Sequence, residues 1–155
     1  MEFQERFFAL TDRFEFQRDR LVLELTEDVL AENEATAAEN LRACRAAGFR
    51  VALDDMGSGH AALRDLGVYP LDLIKLDREF FLETRTEQGT VLLGGLVKMA
   101  HEMGLQVLCE GACSEEDREA ALRAGCDFIQ SFYYSRVLPL EDAVALLTTK
   151  NGPPA

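Results

Sequence analysis

Apolar residues recur along this chain in two alternating rhythms, short runs of period two and longer stretches of helical period. The first period belongs to a strand with alternating faces and the second to one face of a helix. Three times a helical stretch ends in a glycine and is followed by a short apolar run closing on polar or acidic residues: Gly48 to Asp55, Gly104 to Glu110 and Gly125 to Gln130. Glycine suits the left-handed position that ends a helix, so each marks a helix-to-strand junction. Two further strands, Leu21 to Thr26 and Leu71 to Asp77, fit the same mould without the glycine.

Between these runs the spacing predicts a helix over 34–47, with Ala37, Leu41, Cys44 and Ala47 on one face. A second spans 88–103, with Leu92, Leu96, Met99 and Met103 on one face. A third starts at Ser114, whose hydroxyl caps it while Asp117 reaches back. Phe3, Phe7, Leu10 and Phe14 form an apolar stripe, which predicts an amphipathic helix over 1–18 packed on a body of residues 19–147. The segment 148–155 contains Asn151-Gly152-Pro153-Pro154 and reads as a flexible tail. Strands alternating with helices predict an α/β domain with a parallel sheet.

Composition narrows the function classes. The chain of 155 residues, 48% hydrophobic, is long enough to bury one core. No apolar run reaches the roughly 18 residues that span a bilayer, and the start lacks the basic and apolar regions of a signal peptide. These features predict a cytoplasmic protein without membrane insertion. A net charge of −12 argues against DNA or RNA as partner, because such binding needs a basic surface. A phosphate ester stays open as substrate, since cations held by carboxylates reverse the local field. Cys44, Cys109, Cys113 and Cys126 have no C-x-x-C spacing and read as reduced thiols; Cys109 and Cys113 with His101 match no common zinc pattern.

Functional groups of a βα barrel sit at the C-terminal ends of its strands. Here those ends carry Glu24, Asp54 and Asp55, Lys75, Glu110 and Gln130. Strand alternation separates Glu24, Lys75 and Glu110 from the apolar faces Leu21/Leu23/Leu25, Ile74/Leu76 and Val107/Cys109. With those apolar faces under helices, four carboxylates and one lysine converge on the barrel mouth. Oxygen-only ligands select hard cations such as Mg2+ or Mn2+, and the Asp54-Asp55 pair can reach two positions, as a two-metal site requires.

The same residues resemble the EAL domain family of cyclic di-GMP phosphodiesterases, from about Leu21 to Pro139. Glu24-Leu25-Thr26-Glu27 is similar to E-L-T-E, Asp54-Asp55-Met56-Gly57-Ser58-Gly59 to D-D-F-G-T-G, and Leu73-Ile74-Lys75-Leu76-Asp77 to the catalytic-lysine strand. Glu110-Gly111 resembles the start of E-G-V-E, Gln130-Ser131-Phe132 resembles Q-G-Y, and Tyr134 to Pro139 resembles F-S-R-P-L-P. The resemblance implies a partial (β/α)8 TIM-type barrel of about five parallel strands, with the opening strands missing. It implies metal binding by Glu24, Asp54 and Asp55, and catalysis by Lys75, Glu110 and Gln130. It further implies an active-site loop of Glu27, Gly57, Ser58 and Gly59, and substrate contact at Asp77.

The implied reaction is metal-dependent hydrolysis of cyclic di-GMP to linear pGpG, with two Mg2+ or Mn2+ ions. The sequence departs from the family at Met56, His60, Cys113 and Val137, and no E-A-L-x-R occurs in it. The expectation is therefore weak or absent turnover by the chain alone; the alternative is a non-catalytic module that binds cyclic di-GMP or a protein. Open sheet edges predict a homodimer or pairing with an upstream sensor or cyclase domain.

Overall fold

The computed structural model describes residues 3–26, 34–57 and 63–148. Helix α1 (Phe3–Thr11) and a 3-10 turn (Arg18–Arg20) lead into strand β1 (Val22–Leu25). There follow α2 (Glu34–Ala46), β2 (Arg50–Met56), α3 (Leu63–Val68), β3 (Leu73–Leu76), α4 (Arg78–Glu83), α5 (Glu87–Glu102), β4 (Gln106–Glu110), α6 (Glu115–Ala124), β5 (Phe128–Gln130) and α7 (Leu140–Thr148). All pairings are parallel, in the order β1-β2-β3-β4-β5. The fold is thus α/β, with five parallel strands in one sheet.

The predicted junction glycines take positive φ: 96° at Gly48, 78° at Gly104 and 90° at Gly125. Each lets the chain turn sharply from helix to strand at a position where a Cβ would be strained. Two aspartates then fasten the strand starts in one repeated way. Asp72 Oδ2 accepts from Val51 N at 3.0 Å while its Oδ1 takes Arg45 of α2 at 2.6 Å. Asp127 Oδ2 accepts from Val107 N at 2.8 Å and meets His101 Nε2 of α5 at 2.9 Å.

Strand alternation sorts the two sheet faces. Leu53, Ile74, Leu76, Val107 and Cys109 join Leu41, Leu66, Phe81, Leu93 and Val97 in one core beneath the helices. The opposite face carries Glu24, Ala52, Leu73 and Lys75, of which Ala52 and Leu73 are buried outside that core.

Two predicted apolar faces are only partly covered; in the 88–103 helix Leu96 and Met99 pack against the core while the rest of their face does not. In α5 the buried residues are Gly89, Leu93, Val97 and Ala100, while Leu92 is 57% and Met103 44% exposed. Apolar residues at 91, 92, 93, 96, 97, 99 and 100 occupy more than half the helix circumference, so periodicity alone does not choose the buried side. In α1 the stripe stays largely in solvent, with Phe3, Leu10 and Phe14 exposed. Phe7 and its off-stripe neighbour Phe8 pack instead on Phe49, at ring centroid distances of 4.9 and 6.2 Å. The helix stops at Thr11, so Phe14 never extends the stripe. Thr148 closes α7, and 149–155 of the predicted tail lie outside the described residues.

Candidate active site

Lys75 lies in the middle strand, only 5% exposed. Its Nζ meets Glu110 Oε1 at 2.8 Å, Asp54 Oδ1 at 2.9 Å and Glu24 Oε2 at 3.0 Å. An ammonium has three N–H donors, and here each has a carboxylate from a different strand. Burial by itself would push this amine's pKa down; the hydrogen bonds to Glu110, Asp54 and Glu24 outweigh it and hold the pKa above the ordinary lysine value. Three carboxylates around one ammonium leave the mouth net negative.

A β-bulge brings the aspartate pair to this point. Leu53 pairs with Ile74 and Met56 with Leu76, so β2 advances one residue more than β3. Asp54 and Asp55 together oppose Lys75, and Asp55 takes φ 56°, the one positive φ at a non-glycine among the described residues. The extra residue shifts the alternation, which returns Met56 to the helix-side core at 4% exposure while leaving both aspartates at the sheet end. Asp55's carboxyl pKa is raised, first by burial and then by the charges of Asp54, Asp77 and Glu24, against the pull of Lys75.

Asp77 sits beyond β3 and caps α4, its Oδ1 accepting from Glu79 N at 2.8 Å and Phe80 N at 3.2 Å. Gln130 pairs in register with Glu110, and its carbonyl accepts from Gly111 N at 3.0 Å. Glu27, Ser58 and Gly59 lie outside the described residues, as does His60; Gly57 has φ 103°. Ser114 caps α6 as predicted, and Asp117 reaches back one residue past the cap, where it accepts from Cys113 N at 2.9 Å.

Beside Glu110 opens a cleft of about 330 Å3, lined by Arg78, Gly111, Gln130, Phe132 and Arg136 among others. Neither arginine carried a role in the sequence, although Arg136 lies within the stretch that resembles F-S-R-P-L-P. The available signal for Arg78 was position, two residues beyond the end of β3. Gly111, at φ 73°, lies so close to Arg78 that a Cβ there would collide with the arginine's stem. Gly111→Ala should therefore lower stability by about 2 kcal/mol, combining left-handed strain with displacement of Arg78. A urea denaturation midpoint equal to wild type would refute that.

Among the described residues no group of three or more His, Cys, Asp or Glu side chains is arranged to hold a metal ion. The donor chemistry at the mouth nonetheless fits a hard divalent cation. Glu24, Asp54 and Asp55 offer only oxygen, the donor that hard cations prefer, and Glu24 and Asp54 already converge on one ammonium. The model of one known family, the EAL domain, matches residues 1–137.

The chain belongs to the EAL domain family. The cyclic di-GMP phosphodiesterase RocR of Pseudomonas aeruginosa is 31% identical over 136 residues, 87% of this chain and 35% of RocR. The EAL domain of Mycobacterium smegmatis DcpA superposes with a TM-score of 0.86 at 29% identity, over 94% of this chain and 66% of that one. Klebsiella pneumoniae BlrP1, in a manganese and cyclic di-GMP complex, gives a TM-score of 0.72 at 25% identity, covering 86% of this chain and 33% of BlrP1. The chain spans well under half the length of the first curated relatives it matches. The five-stranded sheet of this EAL chain is that of the family's TIM-barrel-like fold. No helix among the described residues is long and apolar enough to cross a membrane.

Proposed function

We propose that this EAL chain carries the lysine-centred part of a cyclic di-GMP phosphodiesterase site, which hydrolyses one diester bond to give linear pGpG. The observation that supports this reading most is the single buried ammonium of Lys75 hydrogen-bonded to carboxylates from three strand ends. A structural ion pair needs one partner, whereas three partners at the mouth of a barrel sheet form a preorganised polar site.

Glu24, Asp54 and Asp55 are the residues that would hold Mg2+ or Mn2+. When bound, such an ion supplies positive charge to the phosphodiester and lowers the pKa of an attacking water. Lys75 donates its three N–H groups to Glu24, Asp54 and Glu110, so it holds those carboxylates in place and supplies positive charge beside the point where a phosphate oxygen would lie. Glu110 contacts Lys75 from the opposite side and borders the cleft, so its free oxygen is placed to accept a proton from that water. Arg78 and Arg136 line the cleft as the cations that suit a phosphate or a guanine edge, beside the Gln130 amide.

The test is hydrolysis of cyclic di-GMP after chelator dialysis, with and without added Mn2+, read as pGpG formed. Calorimetry on the same samples separates the outcomes. Metal-dependent pGpG supports the enzyme, binding without product supports a sensor module, and neither overturns the nucleotide reading. The outer edges of β1 and β5 have no further strand among the described residues, which supports pairing with a second copy or a neighbouring domain. A concentration-independent monomer mass in light scattering would count against self-pairing.

A further inference from the structure

Glu110 ends β4, and the turn Gly111 to Ser114 then leads into α6. The far end of that turn is anchored by Asp117, a carboxylate only 4% exposed. Its Oδ2 accepts from Cys113 N at 2.9 Å, and Arg85 grips both oxygens, Nε on Oδ1 at 3.0 Å and Nη2 on Oδ2 at 2.8 Å. Ser114 Oγ accepts from Asp117 N at 3.2 Å, which ties the turn to the first turn of α6.

Arg85 stands in the short connection between α4 and α5, and α4 begins at the Asp77 cap, two residues beyond Lys75. The connections therefore close a ring: Lys75, Asp77, α4, Arg85, Asp117, the Cys113 turn, Glu110, and back to Lys75 through the 2.8 Å contact. A planar two-point arginine pair constrains direction as well as distance, so it limits how far the two segments can slide past each other. Neither Arg85 nor Asp117 lines the cleft beside Glu110.

We infer that Arg85 and Asp117 are positioning residues, which hold the Glu110 carboxylate on Lys75 from outside the site; their catalytic consequence rests on the phosphodiesterase reading. The pair acts through the turn and touches no reacting atom.

Arg85 is the residue to change, because its side chain is 54% exposed and is not one of the core residues. The chain has three lysines, Lys75, Lys98 and Lys150, so a 15N-resolved spectrum of the side-chain ammonium groups isolates Lys75. In Arg85→Ala the Lys75 signal should shift or broaden while that of Lys98 stays in place, and Arg85→Lys should fall between. With Mn2+ and cyclic di-GMP, kcat should drop about 10-fold with KM within about twofold, the pattern of a lost second-layer contact. Asp117→Asn should move the same signal in a second, independent variant. An unmoved Lys75 signal in folded Arg85→Ala overturns the proposal, as does an unchanged kcat. If wild type forms no pGpG, the phosphodiesterase reading fails on its own, and the Lys75 signal still decides the positioning.

Discussion

Replacing Lys75 by methionine should destabilise the fold by about 3–5 kcal/mol at neutral pH, the range for removing one partner of a buried charge cluster. Methionine fits the volume and keeps the apolar stem, so packing loss is small. What disappears is the one cation among Glu24, Asp54 and Glu110, whose oxygens all lie within 3.0 Å of it. The carboxylates then face one another at the C-terminal end of the sheet.

The pH dependence has a definite sign. The folded-state pKa of Lys75 is raised, so its stabilising contribution is complete below the ordinary value of 10.5 and is lost as pH rises through the raised one. The gap between wild type and Lys75→Met should accordingly stay constant through neutral pH and narrow only in strong alkali. Urea denaturation at pH 7 and pH 8 checks this; a gap under 1 kcal/mol at both values would mean that the carboxylates relax into solvent without the lysine.

Mn2+ should raise the melting temperature, and Asp54→Asn and Asp55→Asn should each abolish most of the rise. At about 100-fold excess over its dissociation constant a ligand stabilises the native state by about 2.7 kcal/mol, or about 5–10 °C for a chain of this size. Asparagine at 54 can still accept from Lys75 through its amide oxygen, so the ion pair's geometry survives while an anionic ligand is lost. Calorimetric scans with chelator and with Mn2+ give the comparison. Equal shifts in wild type and both variants would place the cation elsewhere, and no shift in wild type would remove Glu24, Asp54 and Asp55 as ligands.

Together the predictions separate two properties of the mouth. The lysine experiment reads the charge balance that holds the strand ends together, and the cation experiment reads what that imbalance attracts. Gly111→Ala addresses neither, because its effect comes from backbone strain and the Arg78 stem. It serves as a control for loss of stability near the site without loss of charge.

Much of this molecule was legible in the sequence because strand and helix periods are local. Alternation along Leu73 to Asp77 and Gln106 to Glu110 was enough to assign Lys75 and Glu110 to one sheet face, and the structure joins them there at 2.8 Å. The three junction glycines announced their helix ends, since a left-handed turn depends on one residue's missing Cβ. Order and spacing of the motifs carried the family.

What tertiary structure decided is everything that depends on a partner distant in the chain. The bulge at Asp54-Asp55 exists only as a mismatch in register between β2 and β3, so neither strand alone encodes where Met56 turns. The buried side of α5 was chosen by the sheet and α6, because its apolar residues surround the helix too widely for periodicity to select one side. Arg85 and Asp117 stand 32 residues apart, and in the sequence Asp117 reads only as a partner in the Ser114 cap, with nothing to link it to Arg85. Their pairing is a property of the folded ring, since an ion pair's energy depends on distance in space and on burial, and sequence separation determines neither.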